Sequence, residues 1–106
     1  MSKKPPYVSK KTSYELDQFI HEFELDICRL VVEGVSKNIN KDVEMVPIIN
    51  FYVEDVNKTI NMVAYKVDFE MLLNDNLIIL EKYDMFEECI EVKNIINQIH
   101  KNEKIK

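Results

Sequence analysis

Tryptophan is absent from the 106 residues, glycine occurs once, at Gly34, and proline three times, two of them side by side at Pro5-Pro6. A single glycine excludes the glycine-rich loops that cradle phosphates. So few turn formers leave little linker and favour long helices. No window approaches the roughly 18 apolar residues a membrane span needs. Met1 leads into Lys3-Lys4-Pro5-Pro6 rather than the apolar core of a signal peptide, so the expectation is no membrane partner and a cytoplasmic protein. The two cysteines, Cys28 and Cys89, lack CxxC spacing and fall inside apolar helical patterns, which suits reduced core thiols.

Basic charge is also scarce outside the first 11 residues. Lys3, Lys4, Lys10 and Lys11 stand there with no acid, which leaves 10 basic against 19 acidic side chains in the other 95 residues, a net of −9. So acidic a body repels a phosphate backbone, and only the leading segment is suited to touch nucleic acid. The abundance of Ile, Asn and Lys is what an AT-rich genome yields and hints at a low-GC bacterium or a phage, in which case the compartment is the host cytoplasm.

What remains is ordinary globular composition, enough for one core and not two. Residues 1–11 offer little to bury and read as a disordered basic tail, with a single α+β domain over 12–106. Thr12-Ser13-Tyr14-Glu15 fits a capping box, and Leu16, Phe19, Ile20, Phe23, Ile27, Leu30 and Val31 then recur at helical spacing, predicting one long N-terminal helix that ends near Gly34 or Ser36. Leu25, Cys28, Val32 and Val35 form a second stripe on the other flank. Either a helix of the same chain covers it, or a partner does.

The segments 45–54 and 60–68 are rich in β-branched and aromatic residues about a turn-like 55–59 and predict a β-hairpin with Met45, Ile49, Phe51 and Val53 on one face. Pro47 places that strand at a sheet edge or makes its beginning irregular. Asp68 is placed to cap a helix from Phe69, whose apolar face carries Leu72, Leu73, Leu80 and Tyr83, and a further helix follows Asp84 with Met85, Cys89, Val92, Ile96 and Ile99 as its stripe. The expected fold class is therefore α+β: a long N-terminal helix, a β-hairpin, then a C-terminal antiparallel helical hairpin.

Signals of catalysis or metal binding are poor. His21 and Cys28 share a helical face, but no third or fourth ligand has the needed spacing, and His100 is remote in sequence. Adjacent carboxylates such as Glu87-Glu88 point in different directions on a helix. No cofactor, no metal and no enzymatic activity are expected.

Within the C-terminal pair, Phe86-Glu87-Glu88, then Val92-Lys93-Asn94, then Ile96 and Ile99 follow an aromatic–acidic, aliphatic–basic, aliphatic order. Over residues 73–99 this resembles the UVR motif, the short antiparallel helix pair of nucleotide-excision-repair proteins and bacterial stress adaptors. Cys89-Ile90 stands where that motif has two small residues and Asn94 where it has an acid. The resemblance implies docking against another helical hairpin, with Phe86 as aromatic anchor and Glu87, Glu88 and Lys93 as charged rim.

The expected function is a small acidic protein-interaction module, an adaptor or inhibitor that is phage- or mobile-element-encoded in one version. It docks on a protein partner or on itself through Leu25, Val32, Val35, Phe86, Glu87, Glu88 and Lys93. The alternative is a nucleic-acid-associated accessory or phage structural protein using Lys3, Lys4, Lys10 and Lys11.

Overall fold

The computed structural model describes residues 4–105. Its elements are β1 (Tyr7–Lys10), α1 (Ser13–Glu22), α2 (Glu24–Asn38), β2 (Met45–Val53), β3 (Lys58–Tyr65), a 3-10 turn (Lys66–Asp68), α3 (Phe69–Lys82) and α4 (Phe86–Ile105). The chain is α+β, as its patterning predicts, with a three-stranded sheet in the order β1-β2-β3 and helices on one face of it.

The leading segment corrects the expectation of a disordered tail. Tyr7–Lys10 runs parallel to β2 in register with Asn50–Val53, and Asn50 N–H donates to the Pro6 carbonyl at 2.8 Å. Four residues of alternating exposure carry too little hydrophobic signal to be read as a strand, yet β2 supplies the partner and Val8 packs against the core.

The long N-terminal helix is two helices. Phe23, at φ −103° and ψ 27°, leaves the helical basin while its N–H still reaches Phe19 O at 2.9 Å and its carbonyl accepts from Ile27 at 3.0 Å. α1 buries Leu16 over the sheet, whereas α2 lies between the sheet and α3 and buries Ile27, Cys28, Val31 and Val35. One straight helix cannot follow both partners. The start is half as expected: the Thr12 hydroxyl accepts from Glu15 N–H at 3.1 Å, but the Glu15 carboxylate turns back to Lys11 N–H, not to Thr12.

β2 and β3 form the expected hairpin, with a bulge between Pro47 and Ile49. The extra residue lets Ile48 and Ile49 both be buried. It also shifts the pleat, so Met45 lies exposed on the face opposite Ile49, Phe51 and Val53. β1 begins opposite Asn50, so β2 is central only in its second half, and among the described residues no strand pairs with Pro47 on that side. Gly34 serves close approach: a Cβ there would stand 2.8 Å from Ile48 Cδ1.

α3 begins at Phe69 as expected, but the Asp68 side chain makes no capping hydrogen bond. Its single buried polar residue, Asn76, donates to the Leu72 carbonyl at 2.6 Å. The turn into α4 is a Schellman motif, with Met85 N–H on Leu80 O at 2.9 Å, Asp84 N–H on Glu81 O at 3.1 Å, and Asp84 at φ 58°.

Candidate interaction surface

The second stripe of the N-terminal half lies on α2 and packs in part against α3. Val35 has 0% exposure, Cys28 is buried, and Leu25 and Val32 pack against the core. Val35, fully buried, is withdrawn as a partner contact, whereas Leu25 and Val32 are half-buried and Val32 lines a cleft of about 320 Å³ between α2 and α4 with Leu80 and Ile95. Cys28 and Cys89 are free thiols, and burial first, with Glu88 nearby, pushes Cys28 up to about 11.

The charged residues of α4 divide. Glu88 faces α2, where the Arg29 guanidinium grips it by two bonds, Nε to Oε1 at 2.8 Å and Nη2 to Oε2 at 3.1 Å. Arg29 also reaches Met85 Sδ at 3.6 Å, and the Glu88 carboxylate raises the pKa of its guanidinium. Glu88 thus ties α4 to α2 while its side chain stays about one-third exposed. Glu87 and Lys93 are exposed.

Phe86 is 66% exposed at the head of α4, and Ile90, four residues on and therefore on the same face, is 60% exposed. The core-facing positions of the helix, Cys89 and Val92, are buried. Ile96, expected at the core, is half-buried. His100, late in α4, contacts Glu70 near the start of α3, as an antiparallel pair requires. Ile78 and Met71 are exposed on the solvent side of α3, so the helical hairpin carries apolar side chains on both its surface and its core faces. Ile90 replaces a small residue in the resemblance noted above, and its exposure is the part of this face that motif spacing does not anticipate.

α4 has 20 residues against 14 in α3 and outruns it at the C-terminal end. The overhang bounds a cleft of about 870 Å³ with a partly apolar wall of Ile39, Val43, Phe69 and Ile99. Its polar rim is largely occupied by its own neighbours: Asn102 donates to Asn40 Oδ1 at 2.9 Å, Lys66 to the Lys41 carbonyl, and Glu70 meets His100. Sequence spacing does not bring these residues together, since they come from three separate stretches, 39–43, 66–70 and 99–102.

Of the leading lysines, Lys3 lies outside the described residues. Lys4 and Lys11 are exposed, while Lys10 is held in β1 with its ammonium 4.9 Å from the centre of the Phe19 ring. Among the described residues no group of three or more His, Cys, Asp or Glu is placed to hold a metal ion, and no helix is long and apolar enough to cross a membrane. No protein-family model, curated protein or solved structure matches the chain.

Proposed function

We propose that this protein is a non-enzymatic interaction module of the cytoplasm that docks the α3–α4 hairpin onto a helical surface of a partner protein. The observation that carries the reading is the exposure of Phe86 together with Ile90. Large apolar side chains in one stripe, beside charged Glu87 and Lys93, form an anchor with a polar rim. The anchor stands on two helices held by buried side chains, Leu73 and Leu80 of α3 and Cys89 and Val92 of α4, a platform that loses little entropy on docking. The resemblance to UVR-type hairpins points to the same mode, one helical hairpin laid against another.

The test is affinity capture from the native host with the intact chain and with Phe86→Asp and Ile90→Asp, read by mass spectrometry and by melting temperature. Docking through this face requires a protein held by the wild type and released by both variants at unchanged melting temperature. Val92→Ala is the contrasting variant, because its buried side chain belongs to the core and its loss lowers stability instead. Retention of the same proteins by both Asp variants would remove this face as the site.

A further inference from the structure

The hydrogen-bond parity of the sheet singles out a second surface, distinct from the α4 face. Asn50 gives its N–H to Pro6 on the β1 side, so its cross-strand pair with Asn61 of β3 is a non-hydrogen-bonded one. The N–H and C=O of Asn61 therefore point away from β2, to the outer edge of the sheet. Alternation along β3 gives Thr59 and Val63 the same direction. Lys66, of opposite parity, donates inward to Glu44 O at 2.8 Å, as the alternation demands. Among the described residues no further strand pairs with β3.

This edge has few of the devices that discourage pairing. It is eight residues long, its only charge is Lys58 at one end, and it holds neither proline nor a bulge of its own. The helices also stop short of it. Ile60 and Met62 pair with the buried Phe51 and Ile49 and so lie on the core-facing side of the sheet, yet they remain 39% and 36% exposed.

We infer that β3 pairs antiparallel with β3 of a second copy of this chain, about a two-fold axis through Asn61, joining two three-stranded sheets into one of six strands. This register meets three conditions together. It sets outward-pointing residues opposite one another, Asn61 against its own copy and Thr59 against Val63, as hydrogen-bonded pairs. It keeps the helices of both copies on one face of the joined sheet. It places Ile60 opposite Met62 of the other copy, so the two half-covered apolar side chains cover each other. A second copy suits the edge because the strand from Thr59 to Tyr65 is uncharged and so opposes no like charge to itself.

The test is the mass of the full chain by sedimentation up to about 1 mM, the range of a weak association. The expected result is a doubling of apparent mass with rising concentration, lost in Asn61→Pro. The Asn61 N–H points away from β2, so this proline removes an edge donor while leaving the β2–β3 ladder intact. Should Asn61→Pro fail to fold, Ile60→Lys, at a half-exposed position, reads the same surface, and it too should be monomeric. Oxidation of Asn61→Cys should cross-link the dimer, without interference from the buried Cys28 and Cys89. A wild type that stays monomeric, a dimer that survives in a folded Asn61→Pro or Ile60→Lys, or cross-linking through Met62→Cys in preference to Asn61→Cys would each overturn the inference. Phe86→Asp should leave this dimer unchanged, which separates the fate of this edge from that of the α4 face.

Discussion

Glu24, the first residue of α2, holds Lys82 in the last turn of α3, with Nζ 2.5 Å from Oε1 and the Tyr83 hydroxyl donating to the same oxygen at 3.1 Å. The Lys82 hydrogen bond is the main reason the Glu24 carboxyl titrates below the usual carboxylate range, against an opposing push from burial. Lys82 is raised in turn by its bond to Glu24. The unfolded chain takes up the Glu24 proton first as pH falls, so the contribution of the contact is present at neutral pH and is lost through the acid range. The raised Lys82 loses its share only as pH rises through its own titration. Glu24→Gln should therefore be less stable than the wild type at neutral pH, and the difference should shrink at an acid pH, as Glu24 is protonated through its lowered titration. Urea midpoints of both proteins at the two pH values check it. The difference should be small and should shrink in 1 M salt, because both side chains are substantially solvated.

Gly34 and Ile48 set a second expectation. Alanine in a helix interior gains about 1 kcal/mol over glycine, but here its Cβ would stand 2.8 Å from the Ile48 δ-methyl, the movable end of a buried side chain. The two effects should nearly cancel in Gly34→Ala alone. In an Ile48→Val background the obstructing methyl is gone, and the same change should stabilise by about 1 kcal/mol. Equal effects of Gly34→Ala in both backgrounds, by denaturant titration, would show that the contact does not govern this position.

Asp84 occupies the left-handed position that glycine usually takes at the end of a helix, at φ 58°. Asp84→Gly relieves the Cβ penalty there, offset in part by the greater freedom of glycine in the unfolded chain, for a net gain of about 0.5–1 kcal/mol. A melting temperature that falls would mean that the aspartate side chain makes a contact worth more than the relief.

These positions show why some of the fold is legible in the sequence and some is not. The core stripes of α3 and α4 and the aromatic, β-branched hairpin follow from periodicity alone. The turns do not, because Asn57 and Asp84 take the positive φ that a glycine would have announced. The bulge after Pro47 is a one-residue shift of the pleat, and it reverses the side assigned to Met45 while leaving the strand pattern almost unchanged. The break at Phe23 interrupts no apolar spacing, since three- and four-residue steps run straight through it. At the surface, Phe86 could be named from its motif-like setting, whereas whether Leu25, Val32 and Val35 meet solvent depends on where α3 and α4 come to rest.

The leading strand gives the strongest reversal of a reading from composition. With residues 1–11 taken as an unpatterned tail, their deletion would be neutral. In the folded chain they hold the edge of β2: Pro6, Lys10 and Lys11 carbonyls accept from Asn50, Glu54 and Asp55 at 2.8, 3.0 and 2.9 Å. Each such bond contributes about 0.5–1.5 kcal/mol net, so the three together with the packing of Val8 make the deletion cost about 3 kcal/mol, or on the order of 15 °C in melting temperature for a domain of this size. Val8→Asp in the full chain should reproduce part of that loss by placing a charge against the core beside Phe51, its partner in register. Lys4→Ala, at an exposed residue ahead of the strand, should change nothing. Thermal melts of the three variants decide it, and a truncated protein that melts with the wild type would mean that β1 contributes nothing to the stability of the sheet.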